Sequence, residues 1–135
     1  MTPEELLAEV VELADDRKAL DIVSLDLRGM LGYTDYFVVC TGRSDRQVKA
    51  IHDGIHEGLK RHHGLLPRRV EGVSAAQWVL MDYLDVIVHV FTPEKREFYR
   101  LEQLWGEAPR SVAAGSEAAG SEAARSEALT APPAA

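Results

Sequence analysis

The sequence predicts an α/β fold of the α+β kind: a mixed β-sheet of about five strands flanked by helices, with the elements in the order αββαβββα. Three observations carry this reading. Two stretches repeat their apolar residues at helical spacing, while others alternate or run apolar with β-branched and aromatic residues. The second helical stretch also follows a strand directly, as in a βαβ crossover.

Thr2-Pro3-Glu4-Glu5 begins the first helix, because threonine can cap, proline fits the first turn and glutamate closes a capping box. Leu6, Leu7, Val10, Leu13 and Ala14 then form one stripe, with Glu5, Glu9, Glu12 and Asp16 turned outward, and the helix is expected to end near Lys18. From Asp21 to Arg28 the residues alternate, Ile22, Ser24 and Asp26 against Val23, Leu25 and Leu27, which is a half-buried strand. Gly29 and Gly32 turn the chain into Asp35 to Thr41, an apolar run of the kind covered on both faces. Ser44 with Gln47 is a second capping signal, and Val48, Ile51, Ile55 and Leu59 carry a helix toward Lys60.

After Gly64 and Pro67 come three short strand candidates, Arg68 to Glu71, Gln77 to Leu84 and Asp85 to Thr92, and a last helix from Pro93 to Trp105. Val86, Val88 and Val90 face one way and Ile87, His89 and Phe91 the other, so the strand ending at Thr92 belongs at the centre of the sheet.

A chain of 135 residues with 46% hydrophobic content supports one core that buries roughly two-thirds of its unfolded surface. The domain is expected over 1–106. Beyond Gly106 the composition turns to Ala, Gly, Ser and Glu, with a near-repeat from Ala113 to Glu127. With only Val112 and Leu129 as large apolar residues, 107–135 reads as a disordered tail with a reach of roughly 30 Å.

Cys40, the single cysteine, sits in an apolar run and reads as a buried thiol in a reducing compartment. The N-terminus resembles neither a signal nor a transit peptide and no apolar run is long enough to span a bilayer, so a cytoplasmic location without membrane contact is expected. A net charge of −7 repels nucleic acid overall and favours a basic protein partner.

The runs Thr34-Asp35-Tyr36-Phe37-Val38-Val39, Glu71-Gly72 with Trp78, Met81 to Phe91, and Tyr99-Arg100-Leu101-Glu102-Gln103-Leu104-Trp105 together resemble the Iojap family of ribosomal silencing factors. The resemblance covers nearly everything before the tail. It implies a nucleotidyltransferase-like mixed sheet, binding to large-subunit ribosomal protein fourteen (uL14), and steric blocking of small-subunit joining under nutrient limitation. It also allows a homodimer in solution.

The fold likeness makes a divergent metal-dependent nucleotidyltransferase the rival reading. Two-metal transfer needs paired carboxylates on one face, commonly two acids one residue apart on a strand, and the sequence has no such pair. Asp82 and Asp85 would meet only across a hairpin at Leu84. Gly42-Arg43-Ser44 precedes a helix but lacks the lysine and glycines of a phosphate loop, and Arg46 stands where a nucleophile elbow needs glycine. His52 and His56 share a helical flank without a third metal ligand, and His89 reads as a neutral structural imidazole. No catalytic residue, metal or cofactor is expected.

The expected partner-binding site is Trp78, Met81, Asp82, Tyr83 and Leu84. Tryptophan and tyrosine anchor interfaces, and Asp82 among them is placed to pair with a basic partner, with Glu71 and Asp85 steering the encounter. All four apolar residues are also credible core. The resemblance shifts Trp78 and Tyr83 toward binding. Lys60-Arg61-His62-His63 with Arg68-Arg69 forms a basic stretch suited to a peripheral contact with ribosomal RNA; a free-standing RNA binder is the third reading.

Overall fold

The computed structural model describes residues 1–30, 32–101 and, as a strand only, 110–112. Helix α1 (Pro3–Asp16) is followed by β1 (Leu20–Asp26), β2 (Tyr36–Thr41), α2 (Asp45–His63), β3 (Arg69–Glu71), β4 (Trp78–Asp82), β5 (Val86–Phe91), α3 (Pro93–Tyr99) and β6 (Arg110–Val112). The strands form one sheet ordered β3-β4-β5-β2-β1-β6. Only β2 and β5 pair in parallel; the other neighbours are antiparallel. The sheet is therefore mixed with β5 inside it, as its two-sided apolar pattern required.

The capping chemistry expected at Thr2 is present: its side chain accepts the Glu5 N–H at 3.1 Å while the Glu5 carboxylate accepts the Thr2 N–H at 2.9 Å. At the start of α2 the Ser44 hydroxyl accepts the Gln47 N–H at 3.2 Å. Both helices cover one face of the sheet. There Leu6, Val10 and Ala14 of α1 and Val48, Ile51, Ile55 and Leu59 of α2 meet Ile22, Tyr36, Val38, Cys40, Val79, Met81, Tyr83, Val86, Val88 and Val90. The helices approach closely because α2 offers glycines to α1: a Cβ on Gly58 would stand 2.5 Å from the Leu13 side chain.

Helix α2 runs on to His63, past the expected end at Lys60, and there His62 reaches the Glu9 carboxylate of α1 at 3.4 Å. Gly64, at φ 63, then closes it in the left-handed conformation.

The opposite face carries the alternate residues in two clusters. One holds Val23, Leu25, Leu27, Phe37, Leu80 and Ile87; the other holds Val39, Trp78, Phe91 and Leu101, with Tyr99 at the end of α3 packed against it. Buried Arg96 fastens α3 to the sheet, its Nη1 donating to the Asp21 carbonyl at 2.7 Å and the Thr41 hydroxyl at 2.9 Å.

Two expectations change. Helix α3 was expected to reach Trp105, but Arg100 adopts a left-handed conformation, φ 52, and ends it; 102–109 lie outside the described residues. Strand β6 falls inside the stretch assigned to a disordered tail and extends the ordered domain past 106. It pairs antiparallel with the exposed edge of β1, Val23 opposite Val112 and Leu25 opposite Arg110, because an open edge satisfies the hydrogen bonds of even a short, weakly apolar segment. The remainder of the tail, 113–135, lies outside the described residues.

Candidate docking surface

The β4–β5 hairpin turns through Tyr83, Leu84 and Asp85. Leu84 sits at φ 77, a conformation leucine rarely adopts, and the surroundings hold it there. The Asp82 carboxylate accepts the Leu84 N–H at 2.8 Å with one oxygen and the Arg68 Nη2 at 3.1 Å with the other. The Asp85 carbonyl accepts the N–H groups of Asp35 and Tyr36, each at 3.0 Å, which locks the turn against the start of β2.

The result is an exposed Leu84, 48% accessible, held out on a braced turn. On the neighbouring β1–β2 loop, Met30 and Tyr33 are also exposed. Beside this apolar end of the sheet is an open hollow of about 530 Å³ lined by Tyr33, Arg68, Arg69, Asp82 and Ile87. Burial and then the negative charge of Asp82 raise the pKa of the Tyr33 phenol.

The five residues expected to bind a partner do not share one surface. Met81 is fully buried and Tyr83 is 5% exposed, both against the helix layer. Trp78, 3% exposed, lies on the other face between Phe91 and Tyr99, at ring-centroid distances of 4.9 and 4.3 Å. Strand alternation explains the split, since neighbouring residues of β4 point to opposite sides and each side has its own cover. In this conformation Trp78, Met81 and Tyr83 are packing residues that offer a partner no surface, against the expectation that they anchor it. Asp82 is 5% exposed and already paired inside the chain, so it serves the turn. Leu84 alone of the five is presented outward.

His89 is the neutral structural imidazole expected. Its Nδ1 accepts the Trp78 indole N–H at 3.0 Å, which leaves the proton on Nε2, and Nε2 has no hydrogen-bond partner. Burial pulls its pKa down to about 3. The Gly42-Arg43-Ser44 segment performs capping, with the Gln47 side chain accepting the Arg43 N–H at 2.7 Å. His52 and His56 have ring centroids 5.7 Å apart, and His52 is bonded to Asp53 at 2.9 Å.

Sequence reasoning missed Met30 and Tyr33, and it placed Arg68 in a basic stretch outside the expected protein-binding site. The available signal was the Gly29 and Gly32 turn, which places large apolar residues in an exposed loop.

A family model described as "Ribosomal silencing factor during starvation" matches residues 1–134, running past the boundary expected at 106. The ribosomal silencing factor of Halalkalibacterium halodurans is 43% identical over 111 residues, which cover 81% of this chain and 92% of the relative. That of Bacillus subtilis is 41% identical over 109 residues, with the same coverage of 81% and 92%. Among solved structures, a Chromobacterium violaceum protein superposes with a TM-score of 0.76 at 36% identity, covering 86% of this chain and 96% of that one. A match along nearly the whole length, joined to relatives above 40% identity and to the same fold, means that the chain belongs to the ribosomal silencing factor family.

Proposed function

We propose that this chain docks on large-subunit ribosomal protein fourteen through the Leu84 end of its sheet and so prevents the small subunit from joining, repressing translation when nutrients are scarce. The family supports action on the ribosome. A mouse relative, 34% identical over 101 residues covering 71% of this chain and 43% of its own length, is named for assembly of the mitochondrial ribosomal large subunit.

The observation that carries the reading is Leu84. An exposed leucine in a left-handed conformation, braced by a buried carboxylate and an arginine, is costly to hold unless the exposed side chain has a task. Leu84, Met30 and Tyr33 form the apolar part of the contact, and a ring of polar groups around such a centre excludes water from it. The chain's net charge of −7 speeds its encounter with a basic ribosomal protein. The action is occlusion, for which the protein needs a rigid surface and no bond-making chemistry. It takes place in the cytoplasm. Among the described residues no helix is long and apolar enough to cross a membrane.

The test is co-sedimentation of the full chain with purified large subunits, followed by cross-linking from a photoreactive group placed at position 84. Cross-links to ribosomal protein fourteen support the assignment; binding with cross-links only to other subunit proteins refutes the named partner, and absence of co-sedimentation refutes ribosome docking.

A further inference from the structure

Strand β3 places Arg69 in register with Asp82 and on the same side of the sheet as Glu71, and Arg69 and Arg68 both line the hollow beside Leu84. Each guanidinium gives one nitrogen to a carboxylate of this chain, Arg68 to Asp82 and Arg69 to Glu71, both at 3.1 Å. Their side chains are 58% and 51% exposed. Each fork therefore keeps most of its five N–H donors for a second acceptor and has been oriented by the first. Across the hollow stands the half-exposed ring of Tyr33, and Ile87 contributes an apolar floor.

The two arginines of the hollow belong to a locally basic stretch of an acidic protein, although each is paired there with an acid, Asp82 or Glu71. Between residues 60 and 69 the chain holds Lys60, Arg61, Arg68 and Arg69 and no acid, while the whole molecule carries −7. Lys60 and Arg61 close α2, whose last turn leads through Gly64 to β3.

Two guanidinium forks, an aromatic ring and an apolar floor match a nucleotide better than an acidic side chain. A nucleotide presents a bidentate phosphate together with a flat face, whereas a carboxylate presents only the first. The geometry points to this hollow as the seat of a backbone phosphate of ribosomal RNA, engaged once the neighbouring Leu84 surface has docked. This rests on the docking reading above and adds a second ligand to it. The free chain gains no affinity for naked RNA, because its net charge opposes the approach; the docked chain is already held beside the phosphates.

The experiment measures the affinity of the full chain for vacant large subunits over a series of salt concentrations, with Arg69→Gln, the double variant Arg68→Gln/Arg69→Gln, and Leu84→Ala. Losing one phosphate contact lowers the slope of log affinity against log salt by about 0.7–0.9. Arg69→Gln, which leaves the Asp82 pair untouched, is expected to reduce the slope by that amount and to weaken binding about tenfold at low salt, with the deficit shrinking as salt rises. Leu84→Ala is expected to weaken binding equally at every salt concentration. Thermal melting shows whether each variant remains folded, and Arg69→Gln suffices should the double variant not. A wild-type slope in Arg69→Gln overturns the phosphate assignment and leaves docking standing. An equal loss of affinity for isolated ribosomal protein fourteen, free of RNA, overturns it in favour of a protein carboxylate. Failure of the wild type to bind large subunits at all overturns both.

Discussion

Replacing Trp78 with alanine distinguishes a packing residue from a docking residue. The indole is 3% exposed, lies against Phe91 and Tyr99, and donates its N–H to His89. Truncating a buried tryptophan costs about 3–5 kcal/mol, and leaving the His89 acceptor unpaired adds about 1–3 kcal/mol. A domain of this size has about 5–15 kcal/mol in total, so the variant should be barely folded. At a urea dependence of about 1–2 kcal/mol per molar, a 4 kcal/mol loss moves the midpoint down by about 2–4 M. Far-ultraviolet circular dichroism is the appropriate readout because Trp105 would confuse tryptophan fluorescence. Trp78→Phe keeps the ring contacts and loses the hydrogen bond, and should cost about 1–3 kcal/mol. An alanine variant with a wild-type midpoint and no large-subunit binding would refute this reasoning and return Trp78 to the interface.

Tyr83→Phe should change stability by less than about 0.5 kcal/mol or raise it by up to about 1 kcal/mol, because the buried hydroxyl it removes has no hydrogen-bond partner; the same urea titration measures it. Gly72→Ala should cost at least about 2 kcal/mol, since Gly72 has φ 86 and an added Cβ would stand 2.1 Å from the Trp78 carbonyl oxygen; a melting temperature within error of the wild type would contradict it. His89 is held to a pKa of about 3, against 6.5 for an ordinary imidazole. Between those values the unfolded chain binds a proton that the folded chain refuses, so stability falls as pH falls below 6.5, approaching about 1.4 kcal/mol per pH unit. Unfolding titrations of wild type and His89→Leu from pH 7 to pH 5 should show that slope reduced by close to one proton in the variant, and equal slopes would show His89 to be protonated in the fold.

The helices and the central strands were legible because each reports a single contact direction. The stripe of α1, the two-sided apolar run of β5 and the caps at Thr2 and Ser44 describe a surface or a backbone end that local chemistry determines. Strand β6 was not legible: Arg110-Ser111-Val112 has no strand pattern, and its partner is the edge of β1, far back in the chain. The proposed docking surface was half legible for a related reason. Trp78 and Tyr83 have the apolar body and polar tip that serve an interface and a core equally well. What separates the two roles is the cover on each face and, for Trp78, a hydrogen bond to His89 that exists only because β4 and β5 pair antiparallel. The prominence of Leu84 depends on a left-handed backbone and on a carboxylate bonded back to the turn, neither of which leucine announces.

If the Leu84 surface keeps the ribosomal subunits apart, as proposed, subunit joining followed by light scattering will show it. Purified subunits would be mixed with the wild-type chain or with Leu84→Asp, the latter first shown to melt like the wild type. The wild type should suppress formation of the joined ribosome in proportion to its occupancy of large subunits, and Leu84→Asp should suppress it at least about tenfold less well at equal concentration, since burying an unpaired carboxylate at an interface costs more than about 1.4 kcal/mol. Equal suppression by both chains would contradict the assignment of the surface, and free joining in the presence of saturating wild-type protein would contradict the function.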